Sequence, residues 1–449
     1  MARKMKDSGI EWIGEIPEGW EITKIKHIVS SVTDIDHFMP DSAEFGIPYL
    51  MIGDLKDLSS SIDWDSSKKI SIEDYKKLSI KSRPQIGDII FARYASIGTT
   101  CYIDTDRDFL VSYACLTIHP SDLIIGKFLS YYLKSSSFAE DVLRRTNSNT
   151  QGNVGKDSLV NATIVLPSII EQTQIVNFLD AKCSDINAML SKTRSSIEEY
   201  KKLKQAVITQ TVTKGVRGER EMTDSGVDWI GEIPKEWDII KSSRIIKTTQ
   251  NGLSRRDLEK SEGQIILKLK NITSDGKVDY SFLNRITLSQ NELSTYALTT
   301  GDFLFVRVNG SKSLVGKCAI FEAISEIVAY NDHIIRVKLS NQCYNRFFLW
   351  YLYSCCGKAE IDLHTSTAAG QYTISGDGLR DITLVFPPID EQKEIADYLD
   401  AKCAEIDRLI AKKEQLVKEL ESYKKSLIYE VVTGKREIFT DITRKFPNV

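Results

Sequence analysis

DSGIEWIGEIPEGW at residues 7–20 and DSGVDWIGEIPKEW at residues 224–237 are two copies of one phrase, 217 residues apart. Fourteen positions matched this closely do not recur by chance, so the chain is read first as an internal repeat. A second match pairs TIVLPSIIEQ, Thr163 to Gln172, with TLVFPPIDEQ, Thr383 to Gln392, at an offset of 220. It continues through FLDAKCSDI and YLDAKCAEI, then through Thr213-Lys214-Gly215 and Thr433-Gly434-Lys435. Between these anchors the halves diverge. Gly87-Asp88-Ile89-Ile90-Phe91 aligns with Gly301-Asp302-Phe303-Leu304-Phe305 at 214, and Phe128-Leu129 with Phe348-Leu349 at 220. The halves share a scaffold and differ in what it carries, as a duplicated reader would if its halves recognise different things; neutral drift in a structural repeat is the alternative.

The divergent stretches read as α+β. Short β-rich runs, IIFARY (89–94), VSYACLTI (111–118), FLFVRV (303–308) and HIIRVKL (333–339), sit between turn signals. One helix is predicted in each, Gly126 to Arg145 and Arg346 to Ile361. Pro167 and Pro387-Pro388 then open a long helix in each half, proline being suited to a first helical turn. The segmentation is therefore a domain over 1–165, a central helix over 166–216, a second domain over 217–385, a C-terminal helix over 386–437 and a tail over 438–449.

Both helices carry heptads. One series runs Leu179, Cys183, Ile186, Leu190, Thr193, Ile197, Tyr200, Lys204, Val207; the other runs Leu399, Cys403, Ile406, Ile410, Lys413, Val417, Leu420, Lys424, Leu427. Four heptads of this kind indicate a coiled coil. An amphipathic helix lying on its own domain is the alternative, but about 43 residues at 1.5 Å each span roughly 65 Å, more than a small domain is wide. A parallel in-register pair would set Lys204 against Lys424. An antiparallel pair sets each lysine opposite a cysteine, Cys403 or Cys183, past which its stem can snorkel. The expectation is an antiparallel pair.

Composition bounds the function. The chain has 449 residues, 42% hydrophobic and 27% charged, ample for two cored domains. No apolar run reaches the ~18 residues of a membrane span, and no signal core follows the basic first residues, so a cytoplasmic location is expected. The eight cysteines (101, 115, 183, 318, 343, 355, 356, 403) form no C-x-x-C pair and read as buried free thiols. Net charge is −3, so any phosphate-binding surface has to be a local patch.

The duplicated lead-in, the LP-x-x-x-EQ helix openings with their D-A-K-C continuations, and the two-copy layout resemble the specificity (S) subunit of type I restriction–modification systems, from Asp7 to about Ile438. The resemblance implies two target-recognition domains, each binding one half of a split double-stranded DNA site, and helices that pair as a spacer. It implies a non-catalytic subunit that docks two methyltransferase subunits and restriction subunits. S-adenosylmethionine, ATP and Mg²⁺ would belong to those partners, with no cofactor here and no membrane partner. A rigid spacer of tens of ångströms corresponds to half-sites on the order of 10–20 bp apart. Replacing residues 24–160 should change one half of the site.

Catalytic motifs are missing from the sequence: no N-P-P-Y/F and no glycine-rich S-adenosylmethionine loop. Gly310-Ser-Lys-Ser-Leu-Val-Gly316-Lys317-Cys318 is a poor phosphate loop, with five residues between its glycines and Cys318 where Ser or Thr would hold Mg²⁺. Histidines 27, 37, 119, 333 and 364 have no evident nucleophile or metal partner. Candidate DNA contacts follow the two Gly-Asp strands: Arg93, Tyr94 and Ser96 in one half, Arg307, Asn309 and Lys312 in the other. Arginine and asparagine can read guanine and adenine edges; lysine and serine more often hold phosphate. The loop after the domain helix adds Arg144, Arg145, Asn147, Asn149 and Gln151, and its counterpart His364, Gln371 and Tyr372. A solvated polar loop is the alternative for each single residue, and the alignment within the repeat favours the regions rather than the individuals. Two rivals remain: a coiled-coil scaffold whose domains bind protein, and a stand-alone DNA-modifying enzyme.

Overall fold

The computed structural model describes residues 3–95, 97–145, 153–255, 262–368 and 370–438. The chain forms two compact units, Met1–Arg194 with Gln415–Val449, and Ser195–Glu414. Each unit therefore holds one domain together with a stretch of both long helices.

In the first unit, Val29–Thr33, Cys115–Pro120, Ile89–Ala92 and Thr100–Tyr102 form a four-stranded antiparallel sheet in that order. A second sheet places Ile47–Leu50 between Lys68–Ile70, antiparallel, and Leu110–Val111, parallel. The second unit repeats both. Ile246–Asn251, Ile334–Leu339, Phe303–Val306 and Cys318–Ile320 make the antiparallel sheet. Gln264–Leu267 lies between Asn284–Ile286 and the parallel strand Val328–Tyr330. The fold class is α+β, as read from the sequence.

The residues common to both halves are those that join domain to helix. Gln172 and Gln392, fully buried, each accept a backbone N–H from the start of the domain helix (Ile125 and Tyr344, both at 2.8 Å). Each also donates to the carbonyl of the proline before its long helix, Pro167 at 2.9 Å and Pro387 at 2.8 Å. Such a side chain satisfies backbone groups that a helix end leaves unpaired. Glu171 and Glu391 accept from the indoles of Trp20 and Trp237, which ties the duplicated lead-in to each helix. Asp180 and Asp400, from the D-A-K-C segment, hold Tyr131 with Lys127 and Trp350 with Arg346. At the helix ends, Gly215 and Gly434 have φ of 78° and 75°, the left-handed region that favours glycine. A Cβ on Gly434 would stand 2.4 Å from Pro17, so the close approach of the C-terminal helix to the lead-in also requires glycine.

The long helices run Ile169–Lys214 and Ile389–Val432. None of the eighteen heptad positions is exposed. Within the first unit, Lys424 donates to Asn187 at 3.0 Å and Arg194 pairs with Glu421 at 2.5 Å. Within the second, Lys204 pairs with Asp407 at 2.7 Å and Lys413 stands 5.7 Å over the Tyr200 ring. In each unit a later residue of one helix meets an earlier residue of the other, so the pairing is antiparallel. Lys424 and Cys183 line one concavity, Lys204 and Cys403 its counterpart, as expected of that arrangement. Burial raises both thiols, Cys403 to about 11, although the neighbouring lysines oppose the shift.

Two expectations are corrected. The single domain helix is two helices in each half, Gly126–Leu133 with Ser136–Arg145, and Asn345–Tyr353 with Cys355–Leu363. Ser354 breaks the second because its hydroxyl accepts from Gly357 N, capping a new helix; Ser135 does the same toward Phe138. Seven cysteines are buried and free, but Cys355, in the first turn after that break, is exposed.

Candidate nucleic-acid interface

Arg93 and Arg307 occupy one structural position. Each leaves the end of the central strand of the four-stranded sheet. The N–H of Arg93 bonds the Ala114 carbonyl and its own carbonyl accepts from Val154; Arg307 does so with His333 and Ile374. Their guanidinium groups are steered differently. Arg93 pairs with Asp34 at 3.1 Å, whereas Arg307 donates to the Asp332 carbonyl at 3.2 Å. Tyr94 is 48% exposed beside Arg93, whose guanidinium lies 5.9 Å over its ring.

In the second domain Arg307, Asn309, Gln371 and Tyr372 come together. Val308–Asn309 pairs with Gln371–Thr373, Asn309 opposite Tyr372, and Ser366–Ala368 completes a small sheet. Lys312 follows in the next turn, half-exposed, 3.9 Å from Asp362. His364 does not join them. It is 16% exposed and turned between Glu360 at 3.7 Å and Asp381 at 3.9 Å.

In the first domain Arg144 and Arg145 serve internal contacts. Arg144 pairs with Glu140 and Glu11 and covers the Trp12 ring at 4.7 Å. Arg145 pairs with Asp141, whose carboxylate also accepts the Thr163 N–H; Glu360 accepts from Thr383 in the second domain. Ser96, Asn147, Asn149 and Gln151 lie outside the described residues.

The phosphate-loop decoy is a strand connection. Lys312–Leu314 forms one short 3₁₀ turn and Cys318–Ile320 is a strand, so the loop leads into a strand and not into the helix N-terminus that a phosphate loop needs. Burial holds the Lys317 ammonium below its ordinary value, against the pull of Asp275. Among the described residues no group of three His, Cys, Asp or Glu side chains is placed to hold a metal, and no helix is long and apolar enough to cross a membrane.

Sequence reading missed one feature, a cleft of about 500 Å³ in the second domain, lined by Lys268, Lys270, Asn331 and His333 among others. Those four residues come from two turns that follow separate strands, Gln264–Leu267 and Val328–Tyr330. The available signal was an alignment of Leu50 with Leu267, which sets Met51-Ile52-Gly53-Asp54 against Lys268-Leu269-Lys270-Asn271.

Two copies of one α+β domain, each packed on an antiparallel pair of long helices, define a tandem recognition-and-spacer protein. Residues 17–199 and 234–420 match the family described as the type I restriction modification DNA specificity domain, and the chain belongs to that family. The type I restriction enzyme EcoKI specificity subunit of Escherichia coli K12 is 24% identical over 408 residues, 88% of this chain and 84% of that one. The putative MjaX specificity subunit of Methanocaldococcus jannaschii is 25% identical over 439 residues, 95% and 96% of the two chains. A solved structure from work on complex assembly and conformational transition of the type I system has a TM-score of 0.70 at 16% identity, covering 94% of this chain and 99% of that one. The HsdS subunit of Thermoanaerobacter tengcongensis has a TM-score of 0.52 at 15% identity, covering 94% and 98%. At these identities the structural likeness establishes the fold.

Proposed function

We propose that this chain is the DNA sequence-recognition subunit of a type I restriction–modification complex. Each recognition domain binds one half of a split, asymmetric double-stranded site, and the paired helices set the gap between the halves. The observation that carries this reading is the family match in both halves, on two domains that share strand register and differ in their turns.

The subunit itself is non-catalytic and acts in the cytoplasm. It holds no cofactor; two methyltransferase subunits would supply S-adenosylmethionine chemistry, and restriction subunits the ATP- and Mg²⁺-dependent steps. Met189, Leu203, Leu409, Leu416 and Tyr423 are exposed on the long helices, and exposed apolar side chains of this kind favour a protein partner there. Arg307, Asn309, Lys312, Gln371 and Tyr372 are the second domain's contacts, with Arg93 and Tyr94 in the first. Arg144, Arg145 and His364 would reach DNA only by exchanging their internal partners.

The test is co-expression with the cognate methyltransferase subunit and sequencing of methylated adenines. A split motif with a fixed gap, lost when this chain is deleted, is the expected result. Methylation unchanged by the deletion would refute the reading.

A further inference from the structure

The two domains can be superimposed residue by residue through their backbone bonds. Ser112 N bonds the Leu50 carbonyl at 2.9 Å, and Asn331 N bonds the Leu267 carbonyl at 3.0 Å. One residue further, the Met51 N–H is held by Asp54 at 2.7 Å and the Lys268 N–H by Asn271 at 2.8 Å. Ser112-Tyr113-Ala114 and Asn331-Asp332-His333 are thus one turn seen twice, each ending on the residue whose carbonyl receives Arg93 or Arg307. Met51–Asp54 and Lys268–Asn271 are the other.

The paths agree while the chemistry does not. The first domain has one acidic residue and no basic one in Met51-Ile52-Gly53-Asp54; the second has two lysines and an amide in Lys268-Leu269-Lys270-Asn271. In the second domain these turns bound the cleft of about 500 Å³. Arg255 and Arg285 also line it, each oriented by a carboxylate, Glu292 at 2.9 Å and Glu326 at 2.5 Å. Among the described residues Asp332 is the one acidic lining residue. In a chain of net charge −3 this is a local basic concavity of the kind a phosphate backbone needs.

Asn331 adds a reading group. Asn331 lines the cleft; the matched residue of the first domain is Ser112, fully buried with its hydroxyl toward the Cys115 thiol. The donor and acceptor of an asparagine amide match the N7 acceptor and N6 donor of adenine.

We propose that this cleft is a further half-site contact of the second recognition domain, added to Arg307, Asn309, Lys312, Gln371 and Tyr372, with Lys268 and Lys270 on backbone phosphates and Asn331 on an adenine edge. The matched turns of the first domain contact its half-site with fewer charges. This rests on the DNA-recognition reading above.

The test uses the complex with methyltransferase subunits. Binding to its duplex is followed across salt concentrations, and methylation motifs are mapped for each variant. Replacing both Lys268 and Lys270 by Gln lowers the slope of log K against log salt by about 0.9 per lysine. The double Lys→Arg variant restores it, which separates lost charge from lost fold. Gly53 has open space around its Cβ position, so Gly53→Lys places the missing charge at the first domain's matched turn and steepens the slope by about the same step. Asn331→Ala relaxes one adenine of the second half-site and leaves the first intact. Unchanged slopes in the glutamine and Gly53→Lys variants, with an unchanged motif in Asn331→Ala, overturn the proposal while a split motif still stands. Absence of any split motif in the wild-type complex removes the underlying reading instead.

Discussion

Lys424 and Lys204 occupy the same layer of the two long helices, yet their acidic partners come from different places. In the first unit the carboxylate is Asp57, on the recognition domain, 3.6 Å from Lys424 and 2.8 Å from Lys134; the partner helix supplies only the amide of Asn187. In the second unit the carboxylate is Asp407, on the partner helix, at 2.7 Å, and Ser274 lines the concavity where the first domain has Asp57. One lysine ties a domain to the helices, and the other ties the helices to each other. The repeat preserves a charge in the layer and lets its counter-charge move. A second contrast concerns the lead-in. Glu391 is 1% exposed, with Arg220 and Trp237 upon it, whereas Glu171 is 25% exposed with Arg3 and Trp20.

The lead-in contrast carries the larger effect. Glu391→Ala leaves a nearly buried guanidinium with only the exposed Glu236 and an indole N–H without its acceptor, and costs on the order of 3 kcal/mol. Glu171→Ala breaks a solvent-screened pair and costs about 1 kcal/mol. Urea unfolding of each variant, followed by tryptophan fluorescence, measures both; equal losses would show that the two lead-ins are energetically the same.

The lysine contrast is smaller and depends on pH. Burial alone would raise the Asp57 carboxyl, but Lys134 and Lys424 outweigh it and hold the group below its ordinary value of 3.8. A carboxyl lowered in the folded state stabilises above its unfolded value, and that contribution is lost as pH falls through the lowered value. Acidification below about pH 4 therefore loosens the first domain's hold on the C-terminal helix, and Asp57→Asn produces the same loosening at neutral pH. Asp407→Asn instead loosens the helix pair within the second unit. Hydrogen exchange on the two segments distinguishes these outcomes; matching protection changes in both variants would erase the contrast. For these half-exposed pairs the effect is about 0.5–1 kcal/mol.

Much of this was legible in the sequence because a strong repeat and a heptad both report on positions close along the chain. The antiparallel pairing followed from Lys204, Lys424 and two cysteines, each a single residue in a regular series. The serine breaks at Ser135 and Ser354 were not legible, since helical periodicity passes across a residue whose hydroxyl starts a new helix. Arg144 and Arg145 had the composition of a DNA-facing loop, but acids one helical turn earlier, Glu140 and Asp141, engage them. The basic cleft escaped notice because Lys268 and Asn331 meet only through the parallel pairing of Gln264–Leu267 with Val328–Tyr330. A parallel pair of strands joined by a long connection leaves no local signal.

The central claim is that one scaffold presents two different readers. Its most direct test exploits matched graft points: Ile25 N bonds the Ala162 carbonyl, and Ser242 N bonds the Ile382 carbonyl. Residues 25–162 are replaced by a copy of residues 242–382, the chimera is co-expressed with the methyltransferase subunit, and methylated adenines are mapped. The predicted motif contains two copies of the second half-site, inverted, with the gap unchanged. A motif that keeps the original first half-site, or changes the gap while keeping both halves, would contradict the claim.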